Sequence, residues 1–208
     1  MDMISDKIRN MADEIRTQIV QDRRYLHQIP EIGMDLPETS AYIKKRLDDM
    51  GIPWKECGGK VPEKVTEDFI QAGFPRMENA TGVTAVIGHG SPCILLRADM
   101  DALPIQEEND LEFRSCNGKG HMCGHDSHAA MLLGAAHILK RMEDSIQGTV
   151  KLMFQPGEET GAGARMMVGD GLLEDPKVDA AFGIHVQPTE EPETVGYSVG
   201  VNSASLDT

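Results

Sequence analysis

The chain predicts an α/β layered domain with a mostly parallel or mixed sheet. Short aliphatic runs bounded by glycine and proline alternate along it with longer segments of helical periodicity. Its 40% hydrophobic and 26% charged residues are the ordinary mix of a globular domain, and 208 residues are enough to bury one substantial core.

The elements follow in order. Ile4, Ile8, Met11, Ile15 and Ile19 recur at intervals of four, three, four and four, which places them on one face of an opening helix. A second helix starts near Pro37, a residue suited to a first turn, and runs through Ile43 and Leu47 to the stop at Gly51, Ile52 and Pro53. Residues 58–79 show no regular pattern and receive no element. GVTAVIG (82–88) and CILLRAD (93–99) read as two strands joined by a turn containing Gly90 and Pro92. An alanine- and leucine-rich helix is expected over 127–143, with Asp126 as its cap. TVKLMFQ (149–155) is a strand, AGARMMVGDGLL a helix, and AAFGIHV (180–186) a further strand.

Charge and composition exclude several classes. A net charge of −14 repels phosphate backbones and anionic lipid, and no basic patch offsets it, so neither nucleic acid nor membrane is an expected partner. No apolar run is long enough to span a bilayer. The charged, periodic start is unlike a secretory leader, which makes the cytoplasm the default location. Cys57, Cys93, Cys116 and Cys123 form no tight disulfide framework.

Chemistry concentrates in four places. His121-Met122-Cys123-Gly124-His125-Asp126-Ser127-His128 packs three histidines, a cysteine and an aspartate into eight residues, all suited to a borderline divalent metal. Gly124 lets Cys123 and His125 converge, and the helix N-terminus is expected to favour the Cys123 thiolate. A structural zinc site would need four closed ligands in paired spacings, and no second such pair exists, which favours an open, catalytic site. Glu158 and Glu159 follow the 149–155 strand in GEETG. A Glu-Glu pair on its own is usually a solvated loop, but at a strand end, with Gly157 and Gly161 permitting a turn, one carboxylate can serve a metal and the other the substrate. Asp99 and Asp101 end another strand, and His185 a third. Asp99 and Asp101 alone could be turn residues, and His185 alone a satisfied core residue; their shared position at one sheet edge is what raises them.

RADMDALPI, HMCGHDSH, FQPGEETGAGARMM and FGIHV, in that order, together with RRYLHQIPEIGMDLPETSAYIKKRLDDMGI, closely resemble the M20 metallopeptidase family. The match is to its aminoacylase and hippurate hydrolase branch, which includes the plant auxin-conjugate hydrolases. Residues 58–79 look like an insertion. The resemblance implies a three-layer α/β/α zinc-peptidase-like catalytic domain. It implies Cys123, His125, Glu159 and His185 as ligands of two divalent ions (Mn, Zn, Co or Ni), Glu158 as general base, and Asp101 as the aspartate that orients the site. Asp126 and His128 stand behind them as weaker supporting candidates.

The implied reaction is hydrolysis of an N-acyl amino acid, Glu158 taking a proton from the attacking water and passing it to the leaving amine. Family members are roughly twice as long and are expected to be homodimers or homo-oligomers. Residues 1–208 are accordingly expected to be the N-terminal part of the catalytic domain, without the lid and dimerisation domain or the C-terminal part, and with low or no activity in isolation. SVGVNSASLDT resembles the segment just before that lid. The alternatives are a non-catalytic metal-binding or assembly fragment, and an aminopeptidase or dipeptidase of the same family.

Overall fold

Helix α1 (Met3–Gln28) buries Met11 and Ile15 and partly covers Ile19. Ile4 and Ile8, on the same stripe, are exposed, so the first two turns lie outside the core. The computed structural model describes residues 3–189, 191, 194–197 and 199–200; most of the SVGVNSASLDT segment is outside the described residues. Helix α2 (Pro37–Asp49) starts and stops where the sequence places it, with Ile43 and Leu47 buried. Its own N-cap position is Leu36, which offers no side-chain acceptor. The Glu31 carboxylate takes that role, accepting the Thr39 amide at 2.8 Å.

A helix within residues 58–79 corrects the expectation of no element there, and a strand precedes it. Trp54–Cys57 form a short strand, β1, and Glu63–Gln71 a helix, α3. Val65 and Phe69 of α3, four residues apart, pack on a satellite cluster of Met34, Val61, Met77 and Ala80. Of the three apolar residues in these nine, only Val65 and Phe69 lie four apart, while Ile70 is exposed, which is too weak a pattern to announce a helix.

Strands β2 (Gly82–His89), β3 (Cys93–Asp99), β4 (Gly148–Gln155) and β5 (Ala180–Gly183) complete a five-stranded sheet of order β1-β2-β4-β3-β5. β1 with β2 and β2 with β4 are antiparallel, while β4 with β3 and β3 with β5 are parallel. The sheet is therefore evenly mixed rather than mostly parallel. β2 and β3 are joined by a turn yet do not pair, because β4 lies between them.

Alternation along β4 sorts the layers: Leu152 and Phe154 face α1, α2 and α4 (His125–Arg141), whereas Met153 faces α5 (Gly163–Gly169) with Leu95, Met167 and Leu172. Helices thus cover both faces, giving the three layers expected. Truncating the fully buried Phe154 to alanine would cost about 3–5 kcal/mol. Helix α4 starts two residues earlier than the sequence suggests, with Gly124 at the N-cap and Asp126 inside the first turn instead of capping it. No helix among the described residues is long and apolar enough to cross a membrane.

Candidate metal centre

The parallel strands β3, β4 and β5 point their C-terminal ends at one edge of the sheet, and the loop into α4 meets them there. In register, Asp99 pairs with Gln155 and Arg97 with Gly183. His185, two residues past Gly183, therefore reaches the level of Asp99. It lies beyond the strand in an exposed segment, which corrects both its placement inside a strand and the alternative of a satisfied core histidine.

Cys123, His125, Glu159 and His185 are brought together. Cys123, His125 and His185 offer ligand atoms that all lie within 4.8 Å of one another, and so do His125, Glu158 and Glu159. His125 belongs to both groups, which makes two adjoining three-residue clusters. Its Nδ1–H donates to the Asp101 carbonyl at 3.0 Å, which leaves Nε2 with a free lone pair. Likewise His185 Nδ1–H donates to the Val186 carbonyl at 2.7 Å, and its Nε2 faces Cys123 Sγ at 3.4 Å. His125 Nε2 and Glu159 Oε1 are buried with no hydrogen-bond partner. Buried polar atoms are nearly always paired, so two orphans 3.8 Å apart with acceptor lone pairs fit a cation between them.

The Glu pair sits in a turn that only glycine permits. Gly157 has φ +60°, and a Cβ there would lie 2.4 Å from Met34 Cγ. The turn brings both carboxylates to 3.8 Å from His125 Nε2, so they converge where an extended strand would have splayed them apart. Asp101 fixes this turn: its carboxylate accepts the Glu158 amide at 3.0 Å and the Glu159 amide at 3.1 Å. Through these two amides Asp101 sets the backbone positions of Glu158 and Glu159.

Electrostatics set the protonation states. Burial, reinforced by Glu159 and Asp99, raises the Glu158 pKa against the opposing pull of His125. Burial together with Glu159 pushes the Cys123 thiol up to about 11. The expected lowering by the helix N-terminus is overridden by burial first and by the neighbouring carboxylates second, and a bound cation is what would reverse the sign.

His128 and Asp99 form a third candidate group with His125, but His128 is otherwise engaged. It bonds Asp99 Oδ1 through Nδ1 and accepts the Val186 amide at Nε2, 2.9 Å away. With both ring nitrogens in use it is no metal ligand. Asp126 is likewise turned away from the centre, toward α1. Its Oδ2 meets His27 Nδ1 at 2.7 Å and Arg23 Nε at 2.8 Å, and His27 Nε2 meets Glu107 Oε1 at 2.8 Å. Sequence reasoning missed His27 and Glu107. The available signal was His27 beside Leu26, a titratable residue on the buried end of α1.

Residues 95–207, more than half the chain, match the Peptidase family M20/M25/M40 model. The chain belongs to this family. It is 41% identical over 196 residues to an N-acetyl-L-cysteine deacetylase of Bacillus subtilis, covering 93% of this chain and 42% of the relative. It is 46% identical over 166 residues to the IAA-amino acid hydrolase ILR1-like 5 of Arabidopsis thaliana, covering 79% and 33%. The crystal structure of the Bacillus subtilis YXEP protein, a dinuclear metal binding peptidase from the M20 family, superposes with a TM-score of 0.70 at 36% identity, over 85% of this chain and 45% of that one. The M20 chain described here therefore spans less than half the length of these relatives.

Proposed function

We propose that the chain carries the amide-hydrolysing centre of a metal-dependent N-acyl-amino-acid hydrolase, and that residues 1–208 form the N-terminal part of its catalytic domain. The observation that carries this reading is the meeting of a thiol, two imidazoles whose Nδ1–H groups are held by backbone carbonyls so that Nε2 faces the centre, and two carboxylates at one strand-end rim. Cys123, His125, Glu159 and His185 would hold two divalent ions. Mixed sulfur, nitrogen and oxygen donors suit zinc, cobalt, nickel or manganese. Such ions, when bound, acidify water and polarise a carbonyl.

Glu158 is the base. Its side chain is 39% exposed against 20% for Glu159, so it faces the open side of the centre. Its raised pKa suits a group that must accept a proton from water and then release it to the leaving amine. Asp101 holds the Glu158 and Glu159 amides and so fixes the distance between base and ligand. The names of the similar deacetylase and IAA-amino acid hydrolase support N-acyl amino acids as the substrate class. The net charge of −14 supports a small-molecule enzyme without nucleic-acid or membrane partners. We take the whole protein to be a cytoplasmic homo-oligomer.

The test is elemental analysis combined with an N-acetyl- and N-benzoyl-amino-acid hydrolysis screen, run on 1–208 and on a form extended to the relatives' length. Two ions per chain are expected in both, with turnover in the extended form and little or none in 1–208. Glu158→Gln in the extended form should keep both ions and lose about 10²–10⁴-fold in rate. One ion with no turnover in the extended form would instead mark a non-catalytic metal-binding module, and a preference for free-amine dipeptides would mark an aminopeptidase or dipeptidase.

A further inference from the structure

The segment carrying His185 has little to hold it. β5 and Ile184–Val186 are exposed throughout, and Ile184 and Val186 are 47% and 37% exposed. Among the described residues, the contacts that tie His185 and Val186 to the body include the Val186 amide on His128 Nε2, the His185 ring edge-on to those of His128 and His125 with centroids 4.6 and 6.0 Å away, His185 Nε2 facing Cys123 Sγ at 3.4 Å, and Val186 Cγ2 seated over Gly124, where any Cβ would come within 2.5 Å.

His128 is itself rigidly set. It is 1% exposed, and because Nε2 accepts an N–H, the ring proton must sit on Nδ1 and be donated to Asp99. Asp99 is fully buried, and its second oxygen lies 2.8 Å from Arg97 Nη1, while Arg97 Nε donates to Gln155 Oε1 at 2.8 Å. A hydrogen-bonded and ion-paired chain therefore runs from the end of β4 through β3 and α4 to a single backbone amide next to His185.

We infer that His128 is a positioning residue that anchors the His185 arm through the Val186 amide, with Asp99 fixing the tautomer that makes His128 an acceptor. Its consequence for metal rests on the proposed function; the tether itself does not. Outer partners of this kind are typically worth 10–100-fold in metal affinity.

Two substitutions separate the two ends of the imidazole. His128→Asn keeps a donor near the Nδ1 position for Asp99 and loses the acceptor for Val186. His128→Gln places an acceptor near Nε2 and loses the Asp99 bond. Amide exchange of Val186 by NMR on metal-free chain reads the tether, and Zn²⁺ titration by calorimetry reads its consequence. In His128→Asn the Val186 amide should exchange at least ~10-fold faster, and affinity at the weaker-binding Zn²⁺ site should fall about 10–100-fold. In His128→Gln both should stay near wild type. Unchanged Val186 exchange in His128→Asn would overturn the tether. Faster exchange with wild-type Zn²⁺ affinity would overturn its role in placing His185. Faster exchange with no Zn²⁺ bound by any chain would overturn the metal reading and support the tether.

Discussion

Replacing His27 by glutamine should both destabilise the protein and flatten its pH dependence. His27, Asp126 and Glu107 are all at most 5% exposed, and each ring nitrogen of His27 faces a carboxylate. The Asp126 hydrogen bond is the largest influence on His27; it and Glu107 outweigh burial and raise the pKa above 6.5. Burial opposes ionisation of both carboxylates, yet His27 keeps their pKa values lowered. The buried cluster is thus an imidazolium between two carboxylates, with Arg23 beside Asp126. Removing one member of a buried charge pair costs about 3–5 kcal/mol, and at this chain length about 2–4 °C per kcal/mol gives a Tm lowered by roughly 6–20 °C. A raised folded pKa contributes stability that is complete below the unfolded value of about 6.5 and fades as pH rises through the folded one. The gap between wild type and His27→Gln should accordingly be widest near pH 6 and narrow toward pH 9. Circular-dichroism melts of both chains across that range measure it. A Tm difference under about 2 °C, or one that widens with pH, would refute a charged His27.

Further substitutions probe the centre and its supports. Zn²⁺ at about 100 times its dissociation constant should stabilise the chain by about 2.7 kcal/mol, reversibly with chelator; Cys123→Ser should shrink that increment, read as the metal-dependent rise in Tm. Gly157→Ala, forced to φ +60° and against Met34, should lower stability by about 1–3 kcal/mol in urea titrations and weaken Zn²⁺ binding by displacing Glu159. Lys151→Met should lower stability by about 1–3 kcal/mol, read as a lower urea midpoint with little change in m. Lys151 is buried, and its ammonium donates to the Leu172, Glu174 and Pro176 carbonyls at 2.9, 2.6 and 2.9 Å, which the variant leaves without a donor.

What could be read in advance follows from how local each signal is. The Ile and Met stripe of α1, the Pro37 start of α2 and the runs that became β2, β3 and β4 are periodicities within a few residues, and they hold within one or two positions. Helix α3 and strand β1 lack such a signal: WKEC buries only Cys57, and its strand exists because β2 offers it an antiparallel edge. At the candidate centre, residue types were legible, but their states were not. Nothing in HMCGHDSH says that Asp126 turns to His27, 99 positions away, or that His128 spends both nitrogens on Asp99 and Val186. The Cys123 thiol shows the same limit. A helix N-terminus is visible in sequence, whereas the burial that outweighs it, and the Glu159, Glu158 and Asp99 carboxylates that reinforce that burial from two other strand ends, are not.

The division of the sheet explains why the chemistry gathers at one rim. β2 runs antiparallel to β4, and β1, antiparallel to β2 at the sheet's far edge, is separated from β4 by it; both bring packing residues such as Val83, Ala85 and Cys57. β3, β4 and β5 run parallel, so each ends at the same edge and hands its next residues to the same space: Asp99 and Asp101, then Glu158 and Glu159, then His185. Helix α4 links β3 to β4 on one face, while α5 lies between β4 and β5 on the other. Connections leaving in opposite directions open a crevice beyond the strand ends, the usual ligand position in such sheets. α4 begins at that crevice with His125, so a candidate ligand from a helix start joins those from the strand ends. A one-residue slip of β5 against β3 would change its level and reverse its facing. That register is held beyond Gly183 by the Val186 amide on His128, so the tether and the completeness of the centre are one structural requirement.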